Sequence, residues 1–209
     1  LSIRRQRQMC IRDSINTFGS GGAGGAGNHG GTTTANDGVA IFEGRGFAPA
    51  NYTLTINSGS GATVITGDVT NVLGITINSN NSSNSIDGVI SGITSVTKQG
   101  SGLLLLNGQN THTGSNLISA GILRLGAATS LGASSSTVTV ASGATLDLNG
   151  QAVTNTNAAT IAGSGVSLAG AIANSSATAA SYAGAVAMSA ASSIAVSYTH
   201  LTLPTNREV

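Results

Sequence analysis

A short unit, aliphatic–x–aliphatic, recurs along the chain: Leu54-Thr55-Ile56, Ile75-Thr76-Ile77, Leu104-Leu105-Leu106, Leu123-Arg124-Leu125, Leu146-Asp147-Leu148, Val166-Ser167-Leu168 and Val186-Ala187-Met188. Their first positions lie 21, 29, 19, 23, 20 and 20 residues apart. The longest interval spans a polar stretch, Asn78 to Asn84, that reads as a loop insertion. A nearly fixed period in this range marks a repeat architecture. Strand side chains alternate between faces, so the aliphatic flanks point inward and the variable centre points outward. A helix would separate positions i and i+2, and its many glycines would each cost about 1 kcal/mol relative to alanine. The units are strands.

Glycine punctuates them. Gly102 precedes Leu103 with Asn107-Gly108 after, Gly121 precedes Ile122 with Gly126 after, Gly143 precedes Ala144 with Asn149-Gly150 after, and Gly165 and Gly170 bracket the next copy. Weaker strands lie between, at Thr63-Val64-Ile65, Thr137-Val138-Thr139-Val140 and Ala159-Thr160-Ile161. Two or three short strands with Gly, Asn-Gly or Asp-Gly corners make one coil. Stacked coils set equivalent strands ~4.8 Å apart. The expectation is an all-β parallel β-helix, or β-solenoid, with about 20-residue rungs and the triplets in one column. An antiparallel sandwich also shows short strands and regular turns, but the constant period and the Gly–strand–Gly phrases favour the solenoid.

Composition agrees. Aromatics are 3% of 209 residues, charged residues 7%, hydrophobic residues 40%, and 30 residues are Gly. Disorder needs low hydrophobicity with high net charge, and a collagen needs far more than 2 Pro. A thin stack of coils has room for small aliphatics and little for aromatic rings.

The ends read differently from the middle. Residues 1–13 hold Arg4, Arg5, Arg7 and Arg12 with the only Cys, Cys10. Codons can be chosen for residues 7–14 whose reverse complement reads Val196-Ser197-Tyr198-Thr199-His200-Leu201-Thr202. The pair resembles a transposase sequencing adaptor translated at both ends of a fragment. Residues 1–13 and 197–209 are therefore set aside as adaptor-derived, against the alternative of a basic arm for nucleic acid or membrane. Residues 14–36 read as a Gly-rich linker or irregular start, and 37–196 as the β-helix. Within 14–196 three basic residues face five acidic ones, so the +1 formal charge of the whole chain implies no nucleic-acid partner. That stretch has no Cys, as an exported bacterial protein without disulfides would.

Residues 96–114, Val96-Thr97-Lys98-Gln99-Gly100-Ser101-Gly102-Leu103-Leu104-Leu105-Leu106-Asn107-Gly108-Gln109-Asn110-Thr111-His112-Thr113-Gly114, carry a denser pattern. It resembles the autotransporter-associated β-strand repeat, through Lys98, Gly100, Gly102, Leu104, Leu106, Gly108, Asn110, Thr111 and Gly114, with Gly121, Leu123 and Leu125 in the closing strand. His112 stands where Tyr is usual, and Ser115-Asn116 where Gly-Thr is usual. The resemblance implies a right-handed parallel β-helix in the passenger region of a bacterial surface protein. It also implies secretion through a C-terminal outer-membrane barrel of the same polypeptide, display outside the cell, and a repeat associated with efficient translocation. Passengers of this kind are commonly adhesins. Nothing in the sequence resembles the alternating strands of the barrel.

No catalytic, cofactor-binding or metal-binding set emerges. Gly19-Ser20-Gly21-Gly22-Ala23-Gly24 matches G-x-G-x-x-G only inside a glycine-dense linker. His29 there has no second ligand at spacing, and His112 reads as a polar surface substitute for tyrosine. No G-x-S-x-G elbow surrounds any serine. The carboxylates Asp37, Asp68, Asp87 and Asp147 are scattered, and Arg124–Asp147 reads as an exposed pair contributing at most about 1 kcal/mol. Sequons at Asn51, Asn80, Asn81 and Asn174 are expected by chance in a chain this rich in Asn, Ser and Thr. Every apolar run is shorter than the ~20 residues of a spanning helix. The expected role is a structural stalk segment supporting secretion and surface display. Two alternatives are a module binding host or matrix glycans through Thr/Asn/Ser ladders and, more remotely, a carbohydrate-active enzyme.

Overall fold

The computed structural model describes residues 14–18, 32–34, 39–43, 53–70 and 72–196. The adaptor-like ends and most of the Gly-rich stretch, with His29, lie outside these residues. In chain order the strands are β1 (Ser14–Phe18), β2 (Thr32–Thr34), β3 (Val39–Glu43), β4 (Thr53–Gly59), β5 (Thr63–Ile65), β6 (Gly74–Ser79), β7 (Asn84–Ile86), β8 (Ser95–Gln99), β9 (Leu103–Leu106) and β10 (Asn116–Ile118). They continue as β11 (Gly121–Leu125), β12 (Val138–Val140), β13 (Ala144–Asp147), β14 (Ala152–Val153), β15 (Ala159–Gly163), β16 (Ile172–Asn174), β17 (Ser181–Tyr182), β18 (Val186–Ser192) and β19 (Ile194–Val196).

The protein is a β-solenoid of about seven turns. Each turn gives one strand to an eight-stranded sheet, in the order β2, β4, β6, β8, β10, β12, β15, β18. The next strand of the turn joins a nine-stranded sheet ending in β13, β16 and β19. Pairing is parallel throughout, except that β1 runs antiparallel to β3. A less regular third side closes the coil through a Val69–Ile90 bridge and the β14–β17 pair.

The alternation read in the sequence is the one that builds the core. In the eight-stranded sheet Ile56, Ile77, Lys98, Ile118, Val140 and Ile161 stand in register, and all six are buried. In the nine-stranded sheet Ile65, Ile86, Leu106 and Leu125 form a second inward column. Each aliphatic side chain in these columns contributes roughly 1.5–3 kcal/mol by leaving water.

The triplets do not form one column. Leu54, Ile75 and Val186 belong to the eight-stranded sheet, whereas Leu104, Leu123 and Leu146 belong to the nine-stranded one. Both walls of a coil need an inward–outward–inward strand, so a triplet identifies a strand but not its wall. The long interval from Ile75 to Leu104 is this change of wall. The loop insertion expected at Asn78 to Asn84 is an ordinary corner of four residues, 80–83, beside three at 60–62 and 100–102. The true insertion is 164–171, between β15 and β16. Val166-Ser167-Leu168 is not a strand but a 3-10 turn within it, with Ser167 and Leu168 at φ 50° and 65° and Leu168 exposed. The excursion lies against the outer face of β13: Thr145 Oγ1 donates to the Gly170 carbonyl at 2.9 Å and accepts from the Val166 N–H at 2.8 Å.

Candidate functional site

Residues 96–126 occupy β8 to β11 and make one full coil plus the wall of the next. Within the coil, Leu104, Leu106, Leu123 and Leu125 face inward on β9 and β11 and are essentially fully buried. The remaining motif positions concentrate at corners. There the strand ladder lapses, leaving carbonyls and N–H groups that must find partners away from water.

The first corner lies between β8 and β9. Lys98 sits in the aliphatic column between Ile77 and Ile118 and is 0% exposed. Its Nζ donates to the Gln99 carbonyl at 2.6 Å and the Gly100 carbonyl at 2.7 Å, with the Ser79 carbonyl of the preceding coil at 3.5 Å. Gly100, at φ +73°, makes the turn that aims its carbonyl inward. Gly121 of the following coil, at φ +71°, covers the ammonium, and a Cβ there would lie 2.9 Å from Nζ. Burial lowers the Lys98 pKa from 10.5 to about 8, so it remains a cation at neutral pH.

Asn110 serves the second corner. Its Oδ1 accepts from the Ile90 N–H at 2.8 Å and its Nδ2 donates to the Ser130 carbonyl at 2.7 Å, tying three consecutive coils. At the third corner His112 is fully buried, contrary to the surface position expected from the sequence. Its Nε2 is 3.2 Å from Asn116 Oδ1, and Asn116 Nδ2 donates to the Leu131 carbonyl and Ser136 Oγ. His112 Nδ1 makes no hydrogen bond among the described residues. Burial holds this imidazole below its ordinary 6.5, outweighing the Asn116 side chain and the Ile90 carbonyl. Gly132, at φ +83°, lies over the ring, with a Cβ position 2.8 Å from Cε1.

The other glycines are contact positions. A Cβ on Gly102, Gly108 or Gly114 would run into the carbonyl of Asn81, Gly88 or Thr94 on the coil before. Thr111 is exposed and acts through its backbone, its N–H donating to the Ile90 carbonyl at 2.9 Å.

Two members of the set were not read as site residues in the sequence, where Asn116 is only a departure from the repeat and Asn84 the end of a polar stretch. Asn116 takes the inward position that Val96 and Val138 fill in adjacent coils. Asn84 is opposite Leu104 and links its neighbours through the Thr63 N–H and the Leu103 carbonyl, both at 2.8 Å. A polar residue at an inward strand position is the signal that finds both.

Arg124 and Asp147 do pair across the ladder, at 2.7 Å, but the carboxylate is not exposed. It also accepts from the Asn149 and Ser175 N–H groups and from Ser175 Oγ. These bonds hold its pKa below 3.8 despite the opposing effect of burial. The residue stacked beyond Asp147 is Ala173, not Ser167. Among the described residues no group of three His, Cys, Asp or Glu could hold a metal ion.

The family model of the passenger-associated-transport-repeat matches residues 96–125. Over 105 residues, half of this chain, the sequence is 30% identical to the adhesin BmaC autotransporter of Brucella suis biovar 1. That match covers 3% of the Brucella protein's length. No solved structure matches the chain. The buried corners thus lie within the stretch that matches the passenger-associated-transport-repeat or on the coils that this stretch contacts.

Proposed function

We propose that this chain, a β-solenoid carrying an autotransporter passenger repeat, is a stalk segment that supports secretion across an outer membrane and display at the cell surface. The observation that carries the reading is the coincidence of the repeat with the coil whose three corners are closed by buried Lys98, Asn110 and His112. A coil so tied to its neighbours can capture emerging chain outside the cell and give the next coil a finished edge to pair with. Most of the stabilising contacts run to residues about 20 positions away, so folding can proceed coil by coil. The role is non-catalytic, and an outer-membrane barrel elsewhere in the polypeptide would anchor it.

The test is a pair of in-phase deletions in the full-length protein. Removing residues 95–114 deletes the repeat coil, and removing 74–94 deletes the coil before it. Surface delivery, read by whole-cell antibody binding, is expected to fall only in the first. Equal delivery in both would remove the transport role.

The likeness to an adhesin favours a second reading, in which the solenoid itself binds glycans. The outer face of the eight-stranded sheet carries Thr55, Thr76, Thr97, Leu117, Thr139 and Thr160 in register, an uncharged column of hydroxyls interrupted by Leu117. A glycan array with the purified chain tests it; silence at high concentration leaves the stalk.

A further inference from the structure

The outer face of the eight-stranded sheet presents a grid rather than a pocket. Thr55, Thr76, Thr97, Leu117, Thr139 and Thr160 run in one register across six strands. Ser95, Ser115 and Thr137 stand two residues earlier on three of those strands and begin a second row. No residue of either row is charged. Stacked strands set the rungs ~4.8 Å apart, and positions i and i+2 of one strand lie ~6.6 Å apart on the same face. Threonine is β-branched and stiff at χ1, so its methyl and hydroxyl keep a nearly fixed relation to the backbone. Among the described residues no protein group hydrogen-bonds the hydroxyls of Thr76, Thr97, Thr139 or Thr160. Their donor and acceptor sites are left to water.

We infer that this face binds ice, by ordering a layer of water that continues the lattice of a growing crystal. A single hydroxyl–water bond merely replaces another, and its net contribution is small. A crystal face changes the sum, because it offers the same spacing to every rung at once. Both spacings of the grid lie near the repeats between oxygen atoms on the faces of an ice crystal. Stiff side chains lose little rotamer freedom on contact, so the small contributions are not spent on ordering the protein. A soluble glycan suits the face less well. Small ligands are held in concave sites lined by apolar and aromatic side chains, and these rows hold no aromatic residue.

Leu117 is the flaw in the grid. It is 37% exposed and replaces one hydroxyl in the middle of the column, splitting it into Thr55 to Thr97 and Thr139 to Thr160. Filling that gap is therefore a gain-of-function test.

The experiment measures inhibition of ice recrystallisation by the full 209-residue chain, with enrichment in a slowly grown ice crystal as the second readout. The chain is expected to keep ice grains small and to enter the crystal. Leu117→Thr is expected to lower the inhibiting concentration several-fold. Thr97→Tyr combined with Thr139→Tyr places bulk on the grid with residues that suit strands, and is expected to abolish both readouts. Ser85→Tyr, at the outward position of β7 on the other sheet, is expected to leave them intact. The inference is overturned if the chain shows neither readout, or if the tyrosine pair and Ser85→Tyr behave alike. A folded Leu117→Thr that is no stronger overturns it as well. Retention on cellulose or chitin with no effect on ice overturns it too, and gives the face to the glycan reading. Surface delivery enters neither readout, so the stalk reading stands or falls separately.

Discussion

Arg124 and Asp147 face one another on adjacent strands with Nε 2.7 Å from Oδ2, yet Asp147 has 3% of its side chain exposed and Arg124 33%. The pair is unequal because Asp147 also accepts two backbone N–H groups and a serine hydroxyl. Asp147→Ala strands those donors and is expected to cost about 3 kcal/mol, whereas Arg124→Ala removes a half-solvated partner and should cost about 1 kcal/mol or less. Urea unfolding of the two variants measures both; equal losses would mean the carboxylate is not the hub. Asp147 is held below 3.8, so its contribution is present above that pH and fades as pH falls through the folded-state value.

Lys98 gives the opposite limb. Its folded pKa of about 8 lies under 10.5, so between those values the unfolded chain binds the extra proton. Stability should therefore rise with pH across that window, by roughly 3 kcal/mol at 1.36 kcal/mol per pH unit. Lys98→Met should show no such rise in urea midpoints taken at intervals across the window.

His112 predicts sensitivity to mild acid. The folded imidazole is held below 6.5, so as pH falls the unfolded chain is protonated first and the native state loses ground. The urea midpoint should drop between neutrality and about pH 5.5, a range in which only histidine ordinarily titrates. His112→Gln should flatten that decline. A variant that keeps it would place the acid sensitivity elsewhere.

Two glycines separate crowding from backbone preference. Gly102→Ala aims a methyl at the Asn81 carbonyl, which cannot swing aside, while at Gly143 (φ +81°) a Cβ meets nothing within 4 Å. The first substitution is expected to cost about 3 kcal/mol or more, the second about 1–2 kcal/mol for the left-handed backbone alone. Thermal unfolding ranks them.

Much of the spine was legible in the sequence because aliphatic alternation and glycine spacing follow from strand geometry alone. The strands at Thr63, Val138 and Ala159 lie where that pattern placed them. The wall to which each strand belongs was not legible, since Ile75 and Leu104 satisfy the same local rule in different sheets. Val166 and Leu168 mimic a strand triplet inside a turn because spacing carries no information about φ. Lys98 and His112 were read as motif and surface because their burial depends on carbonyls and glycines contributed by other coils, about 20 residues away. That partnership is tertiary, and polarity alone points the wrong way.

The excursion at 164–171 spends eight residues at a bend that takes two to four in earlier coils, yet Leu146 still pairs with Ile172 across it. Pairing between successive walls is indifferent to how much chain is spent at a bend. Evolution can therefore embroider such a molecule from the side, acquiring or discarding whole ornaments in a lineage while the load-carrying axis keeps its pitch.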